Sequence, residues 1–335
     1  MLEENHNYVT VVTVTYGNRV HLLEQVVDSC YVEGVDRIII VANGVTDDVV
    51  TVLDKLVGKS RVPVRLELLE ENIGSAGGFS KGLRIFSDEV GEGCVWLLDD
   101  DNVPACGSLS ELKAFGRKLA GLDGGSECSA LLSYRPDRQM YAQAVLEGDE
   151  SIVIGPVDGF LGFSIFDRLK YSKRHLDLSK FDGNGSVAVA PYGGLFLTCS
   201  SLNRVGLPDE RFYLYVDDHE WTYRLRKLGK ILLVGSSRVE DVEQSWNVHE
   251  ENWNFVKRLS KAPAFRLYYS TRNRVYFELN FLVNSRVRYY LNVICVSMLF
   301  VAYSVLRPRL LTVWFSALKD GFEGNLGVSR MKLGD

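Results

Sequence analysis

Along the first hundred residues the hydrophobic pattern switches between two periods. Tyr8-Val9-Thr10-Val11-Val12-Thr13-Val14 is short and β-branched, the composition of a buried strand. Over residues 20–31 the apolar positions Leu22, Leu23, Val26 and Val27 follow helical spacing. Arg37-Ile38-Ile39-Ile40-Val41 is a second strand, closed by the turn pair Asn43-Gly44. Thr46 is placed to cap a helix with Val49, Val50, Leu53 and Leu56 on one face. Residues 64–69 and 94–98 are two further strands, with a glycine-rich helix start at 72–82 between them. This alternation predicts an α/β fold with a mostly parallel sheet, helices on both faces, and a ligand site at the carboxyl ends of the strands.

The pattern loosens over residues 121–194, where 168–185 is rich in charge and glycine and reads as a loop. Strand signals return at 186–190 and 195–198, followed by a helix at 217–228 and a strand at 230–234. After about residue 240 the chain becomes aromatic and basic, and residues 289–306 carry no charge. Eighteen such residues sit at the lower edge for a membrane-spanning helix. Asn292, Ser297 and Ser304 interrupt the stretch and basic residues flank it, which favours a buried or interfacial helix over a spanning one. The expected division is a domain at 1–240 and a C-terminal helical region at 241–335.

Composition narrows the function classes. With 38 basic against 43 acidic residues the net charge is −5, so nucleic acid is not an expected partner. The six cysteines form no CxxC pair, which argues against a zinc or thioredoxin-like site and fits a reducing compartment. The acidic start Met1-Leu2-Glu3-Glu4-Asn5 lacks the pattern of a signal peptide, and the expected location is cytoplasmic.

Three segments carry candidate chemistry. Trp96-Leu97-Leu98-Asp99-Asp100-Asp101-Asn102 ends an apolar strand in three carboxylates. Strand alternation sends Asp99 and Asp101 to one side and Asp100 to the other. Crowded carboxylates repel unless a cation sits among them, and oxygen donors suit Mg²⁺ or Mn²⁺, which would bind a diphosphate. An acidic turn capping the next helix is the plainer alternative. In the second segment, Phe212-Tyr213-Leu214-Tyr215-Val216 runs into Asp217-Asp218-His219-Glu220-Trp221, with Glu220 and Arg224 one helical turn apart. A carboxylate here can serve as a general base, although acids in a first helical turn are also favoured by the macrodipole. The third segment, Asn72-Ile73-Gly74-Ser75-Ala76-Gly77-Gly78, admits a phosphate at a helix start or, equally, tight helix–sheet packing.

In this order and spacing the segments resemble the family 2 glycosyltransferases of the GT-A fold. The resemblance begins at Val12-Thr13-Val14-Thr15-Tyr16-Gly17-Asn18-Arg19, the first strand and nucleotide loop. It continues through Val41-Ala42-Asn43-Gly44-Val45-Thr46-Asp47, where Val45 stands in place of the usual serine, through the 72–82 element, and through a D-x-D element at Asp99–Asp101. Near the carboxyl end, Tyr268-Tyr269-Ser270-Thr271-Arg272-Asn273 and residues 317–327 resemble segments of bacterial rhamnosyl- and galactofuranosyltransferases.

The resemblance implies an inverting, metal-dependent sugar transferase. Its expected donor is UDP-galactofuranose, with dTDP-rhamnose as runner-up and a nucleotidyltransferase as the distant alternative. Thr15, Arg19, Asn43, Asn72, Gly77, Gly78 and Asp100 are the candidates for the nucleotide sugar. Asp99, Asp101 and His249 are the expected ligands of Mn²⁺ or Mg²⁺, and Asp218 is the expected base. Asp217, Glu220, Trp221 and Tyr192 are the candidates for the acceptor. The implied acceptor is a lipid-linked glycan at the inner face of a bacterial membrane. Arg258, Lys261, Arg266, Arg272, Arg274, Arg286, Arg288, Arg307 and Arg309 accumulate where an anionic surface would be met, and a homodimer interface built from the same helices is the alternative.

Overall fold

This computed structural model describes residues 8–121, 128–166, 177–243, 252–329 and 331. The chain opens with β1 (Val9–Thr15), α1 (Val20–Glu33), β2 (Arg37–Asn43), α2 (Asp47–Gly58), β3 (Val64–Leu69), α3 (Gly74–Glu89), β4 (Cys94–Asp99), β5 (Asn102–Pro104) and α4 (Ser108–Ala120). There follow β6 (Cys128–Tyr134), α5 (Met140–Glu147), α6 (Ser151–Ile154), β7 (Asn184–Val187), β8 (Leu195–Thr198), α7 (Cys199–Val205), α8 (Asp217–Arg226) and β9 (Lys230–Asp241). Four helices end the chain: α9 (Asn252–Leu259), α10 (Ala264–Phe281), α11 (Arg286–Ser304) and α12 (Pro308–Glu323). These elements form two compact units. The first takes in residues 1–153, 176–210 and 218–245; the second takes in 154–175, 211–217 and 246–335. The second unit thus includes two earlier segments that a division at residue 240 leaves out.

The first unit is built on one sheet of strand order β3-β2-β1-β4-β8-β6-β9-β5, with β7 on β9. β3, β2, β1 and β4 are mutually parallel. β8 is antiparallel to both β4 and β6, and β6 is parallel to β9. The carboxyl ends of β1, β4, β6 and β9 therefore lie along one edge. β1, β2 and β4 are buried over nearly their whole length, which is why they read as apolar runs rather than alternating ones. The glycines of α3 let that helix close on the sheet. A Cβ at Gly78 would meet Val14 at 2.6 Å, and one at Gly82 would meet Val12 at 2.4 Å.

The structure departs from the sequence pattern in three places here. β6 carries no clear strand signal because Ser129 and Ser133 break its apolar run, yet both are buried. β9 runs to Asp241, well past Val234, because its length is shared among β6, β7 and β5 as partners. Thr46 does sit at the start of α2 in extended backbone, but its hydroxyl donates to the Asp48 carboxylate and caps no backbone N–H.

The second unit is helical around Leu267, Val275, Tyr289, Val296, Phe300 and Trp314, with the Phe300 and Trp314 rings stacked at 4.3 Å. α10 and α12 approach closely at Gly321, where a Cβ would lie 2.7 Å from the Arg272 carbonyl oxygen. α11 is, among the described residues, the one helix long and apolar enough to cross a membrane, and a third of that window is buried. Its inner face carries Tyr289, Asn292, Val293, Val296 and Phe300, while Val287, Leu291, Ile294 and Met298 are exposed. Asn292 is a buried anchor: it donates to the Asp158 carbonyl at 2.8 Å and accepts from the Ile165 N–H at 2.9 Å.

Candidate active site

The acid triplet sits where β4 ends. Residues 100 and 101 form the turn into β5, so strand alternation stops at Asp99 and does not fix Asp101 beside it. Asp100 accepts from the Thr15 hydroxyl at 2.8 Å and from Arg19 Nε at 3.0 Å. The same guanidinium donates to Asp101 at 3.0 Å and pairs with Glu243. Thr15 closes β1 and Arg19 stands just before α1, so this turn and the first-strand loop are tied directly. The half-exposed Tyr16 ring lies 5.1 Å from the Arg19 guanidinium.

Burial pushes the Asp100 carboxyl up to about 6, against the pull of Arg19 and Thr15. Asp101 is pushed up to about 7 by burial and then by the charges of Asp99, Asp241 and Asp100, with Arg19 opposing. At Asp101 the neighbouring carboxylates thus outweigh Arg19, whereas at Asp100 the shift is one of burial.

The carboxyl ends of two further strands complete this corner. Arg135 directly follows β6 and Asp241 ends β9; the two form a buried pair. Arg135 also lies 3.4 Å from Asp99. Asn102, fully buried, donates to Asp241 at 2.8 Å and to Asp101 at 3.1 Å, and accepts from the Asp99 N–H at 3.3 Å. The Asp99 carboxyl is held above its ordinary value chiefly by loss of solvent. Arg135 and Arg138 act against this, and Asp241 and Asp218 reinforce it. The charge of Asp218, at the start of α8, is the smallest of these influences on Asp99. Asp218 itself accepts from the His219 N–H at 2.8 Å. The sequence pattern alone does not single out Arg135, Asp241 or Asn102. The available signal was that each polar side chain stands at the end of an apolar strand or inside the acid turn, at the sheet edge where sites form.

Several candidates prove to hold the scaffold. Asn43 is buried and its amide is engaged. It accepts from the Ile73 N–H at 2.9 Å and donates to Asn72 Oδ1 at 3.2 Å and to the Gly74 carbonyl at 3.0 Å. Asn72 accepts from the Gly74 N–H at 2.9 Å and remains exposed. Gly77 and Gly78 are buried, and a Cβ at either would meet Ile73 at 2.7 Å or Val14 at 2.6 Å.

Of the residues expected at the acceptor, Trp221 is fully buried and its indole N–H donates to the Gly206 carbonyl at 2.8 Å. Tyr192 is buried with its ring stacked on Phe79 at 4.2 Å. Neither offers a free face to a sugar. Glu220 is buried and paired with Arg224, which also binds the Val205 and Leu207 carbonyls, a brace on the end of α7. Asp217, the first residue of α8, is buried. His249 lies outside the described residues.

The donor set fits a hard divalent cation. Among the described residues no three His, Cys, Asp or Glu side chains converge as a closed ligand cluster. Asp99 and Asp101 offer two carboxylates. Mg²⁺ is typically held in this way, by one or two carboxylates plus substrate phosphates, rather than by an all-protein cage.

Residues 10–117 match the family model described as "Glycosyl transferase family 2". No curated protein matches the chain. Among solved structures, S. aureus TarS is 12% identical over 93% of this chain and 55% of its own, at a TM-score of 0.48. TarS residues 1–349 are 13% identical, over 95% and 92% respectively, at 0.47. GalNAc-T7 with UDP, GalNAc and Mn²⁺ is 15% identical, over 83% and 52%, at 0.48. The chain spans about half the length of the longer TarS chain and of GalNAc-T7.

Proposed function

We propose that this chain, whose residues 10–117 match the family model "Glycosyl transferase family 2", is a glycosyltransferase of GT-A fold that moves a sugar from a nucleotide diphosphate donor to a hydroxyl acceptor with inversion. The observation that carries the reading is the junction of the acid turn with the first-strand loop. Thr15 and Arg19 orient Asp100, and Arg19 also holds Asp101, so Asp99 and Asp101, the carboxylates assigned to the diphosphate side, are reached through the same ion-paired turn. A Mg²⁺ or Mn²⁺ held by Asp99 and Asp101, with His249 as third ligand on sequence grounds alone, would neutralise charge on the departing diphosphate. The exposed Tyr16 ring is a flat surface for the donor base.

Asp218 takes the proton of the acceptor hydroxyl as its oxygen bonds to the anomeric carbon. The bond from that carbon to the diphosphate oxygen breaks, and its electron pair leaves with the nucleotide. One displacement suffices, and no carboxylate nucleophile is required. UDP-galactofuranose is the proposed donor, with dTDP-rhamnose second, and the proposed acceptor is a lipid-linked glycan. Attachment to the cytoplasmic membrane surface is supported by the exposed apolar side of α11, Val287, Leu291, Ile294 and Met298, flanked by the exposed Arg286, Arg288, Arg307 and Arg309. Arg272 and Arg274 are directed inward and do not contribute to that surface.

The test is transfer from a panel of nucleotide sugars to a bacterial membrane extract. Asp218→Asn should bind donor as wild type and lose ~10²–10⁴ in rate, the usual worth of a general base. Asp217→Asn should cost less. Full activity of Asp218→Asn would refute its role, and transfer from dTDP-rhamnose alone would reverse the donor ranking.

A further inference from the structure

The motif Tyr268-Tyr269-Ser270-Thr271-Arg272-Asn273 has no part in the chemistry above, yet Arg272, Thr271 and Asn273 are among the most deeply buried polar side chains of the second unit. Both ends of the motif grip other segments of that unit. Tyr268 donates its hydroxyl to Asp320 at 2.7 Å, and the Tyr269 hydroxyl accepts from the Ser329 N–H at 2.9 Å. Arg272 is held between the Tyr268 and Tyr269 rings, 5.3 and 4.8 Å from their centroids.

Its neighbour Asn273 faces the segment that leads into α8. The Asn273 amide nitrogen lies 2.9 Å from the Phe212 carbonyl oxygen and 2.8 Å from those of Leu214 and Tyr215. Two N–H groups thus serve three acceptors. Arg272 Nη2 donates to the Phe212 carbonyl as well, at 3.0 Å, and Arg272 Nε donates to Asn273 Oδ1 at 2.8 Å, which fixes the amide's orientation.

The gripped segment is strained. Tyr213, Tyr215 and Val216 have φ of 65°, 66° and 65°, the left-handed region that side chains disfavour and that is a true outlier for a β-branched residue. Three such residues in four positions persist only where the surroundings over-determine them. Here the surroundings include the Asn273 amide, the aromatic packing of Tyr213 on Tyr269 at 5.0 Å, and Arg266 Nε donating to the Tyr215 hydroxyl at 3.1 Å. Val216 is followed immediately by Asp217-Asp218.

We infer that Asn273 is a positioning residue, clamped by Arg272, which holds residues 212–216 in their left-handed path and thereby sets how the chain delivers Asp217-Asp218 to the start of α8. This rests on the reading of Asp218 as the base. Asn273→Asp keeps the shape but turns the donating amide into an acceptor facing three carbonyls.

Amide exchange of the peptide spanning 211–218 should accelerate at least tenfold in that variant. Its kcat should fall roughly 10²-fold, the cost of a small misplacement, with the donor KM within about threefold of wild type. Val216→Gly, which accepts φ > 0 without a Cβ penalty, should restore at least tenfold of kcat when combined with Asn273→Asp. A purely packing role for Asn273 would not be rescued in this way. Unchanged exchange, or faster exchange with unchanged kcat, overturns the inference, as does a double variant no better than the single one. If the wild type transfers no sugar from any donor, the proposed function fails, and the exchange measurement still decides on the clamp.

Discussion

Gly193 offers the sharpest probe of the acid corner. Its φ is not left-handed, unlike that of Gly194 at +95°, so alanine is acceptable to the backbone. The added methyl would lie 1.8 Å from Asn102 Oδ1 and 2.7 Å from both Arg135 Nη1 and Asp99 Oδ2. Asn102 is fully buried and would have to move, loosening its bonds to Asp99, Asp101 and Asp241. Overpacking costs ~1–3 kcal/mol and weakened buried hydrogen bonds a further ~1–3 kcal/mol, together roughly 2–6 kcal/mol. At ~2–4 °C per kcal/mol for a unit of this size, Gly193→Ala should lower Tm by roughly 4–24 °C. Because Asp99 and Asp101 share the disturbed network, sugar transfer should fall by ~10²-fold in the protein that remains folded at 20 °C. Scanning calorimetry and initial rates of nucleotide release read the two effects. A wild-type Tm together with wild-type transfer would refute the packing of residues 192–194 against the acid turn, and with it the geometry assigned to Asp99.

Other outcomes follow from the same structure. Chelation should stop transfer and Mn²⁺ or Mg²⁺ restore it, and Asp101→Ala should lose at least ~100-fold; full transfer in EDTA would remove the metal role. Thr13 is fully buried and its hydroxyl finds no hydrogen-bond partner among the described residues, so Thr13→Val should raise stability by ~1 kcal/mol in urea titrations. Vesicles containing anionic phospholipid should bind the protein and release it at high salt, because each exposed Arg adds about 1 kcal/mol near such a surface; equal binding to neutral vesicles would refute a basic contribution. At pH 8 iodoacetamide should label the exposed Cys106 well before Cys128, whose thiol burial pushes up to about 11; equal rates in peptide mapping would contradict that burial.

The alternation of periods over residues 8–99 fixed four strands and their helices, because buried parallel strands are written as continuous β-branched runs and helices as 3.6-residue stripes. The parallel order in turn placed the acid turn at the carboxyl edge of the sheet, so the position of Asp99–Asp101 was legible before any coordinates. What the sequence could not carry were relations between distant segments. β6 was hidden by its serines, and Arg135 and Asp241 acquire meaning only when β6 and β9 lie side by side.

Local pattern also cannot distinguish a side chain that faces a ligand from one spent on the scaffold. Asn43, Tyr192 and Trp221 have residue types suited to binding, but hydrogen bonds and close contacts from elsewhere in the fold consume them. The left-handed path through Tyr213, Tyr215 and Val216 runs against every local preference of those residues. It exists because Asn273, nearly sixty positions later, supplies the hydrogen bonds that compensate it. Propensity and periodicity act over a few residues, whereas burial, charge pairing and strain are settled by whatever the tertiary fold brings into contact.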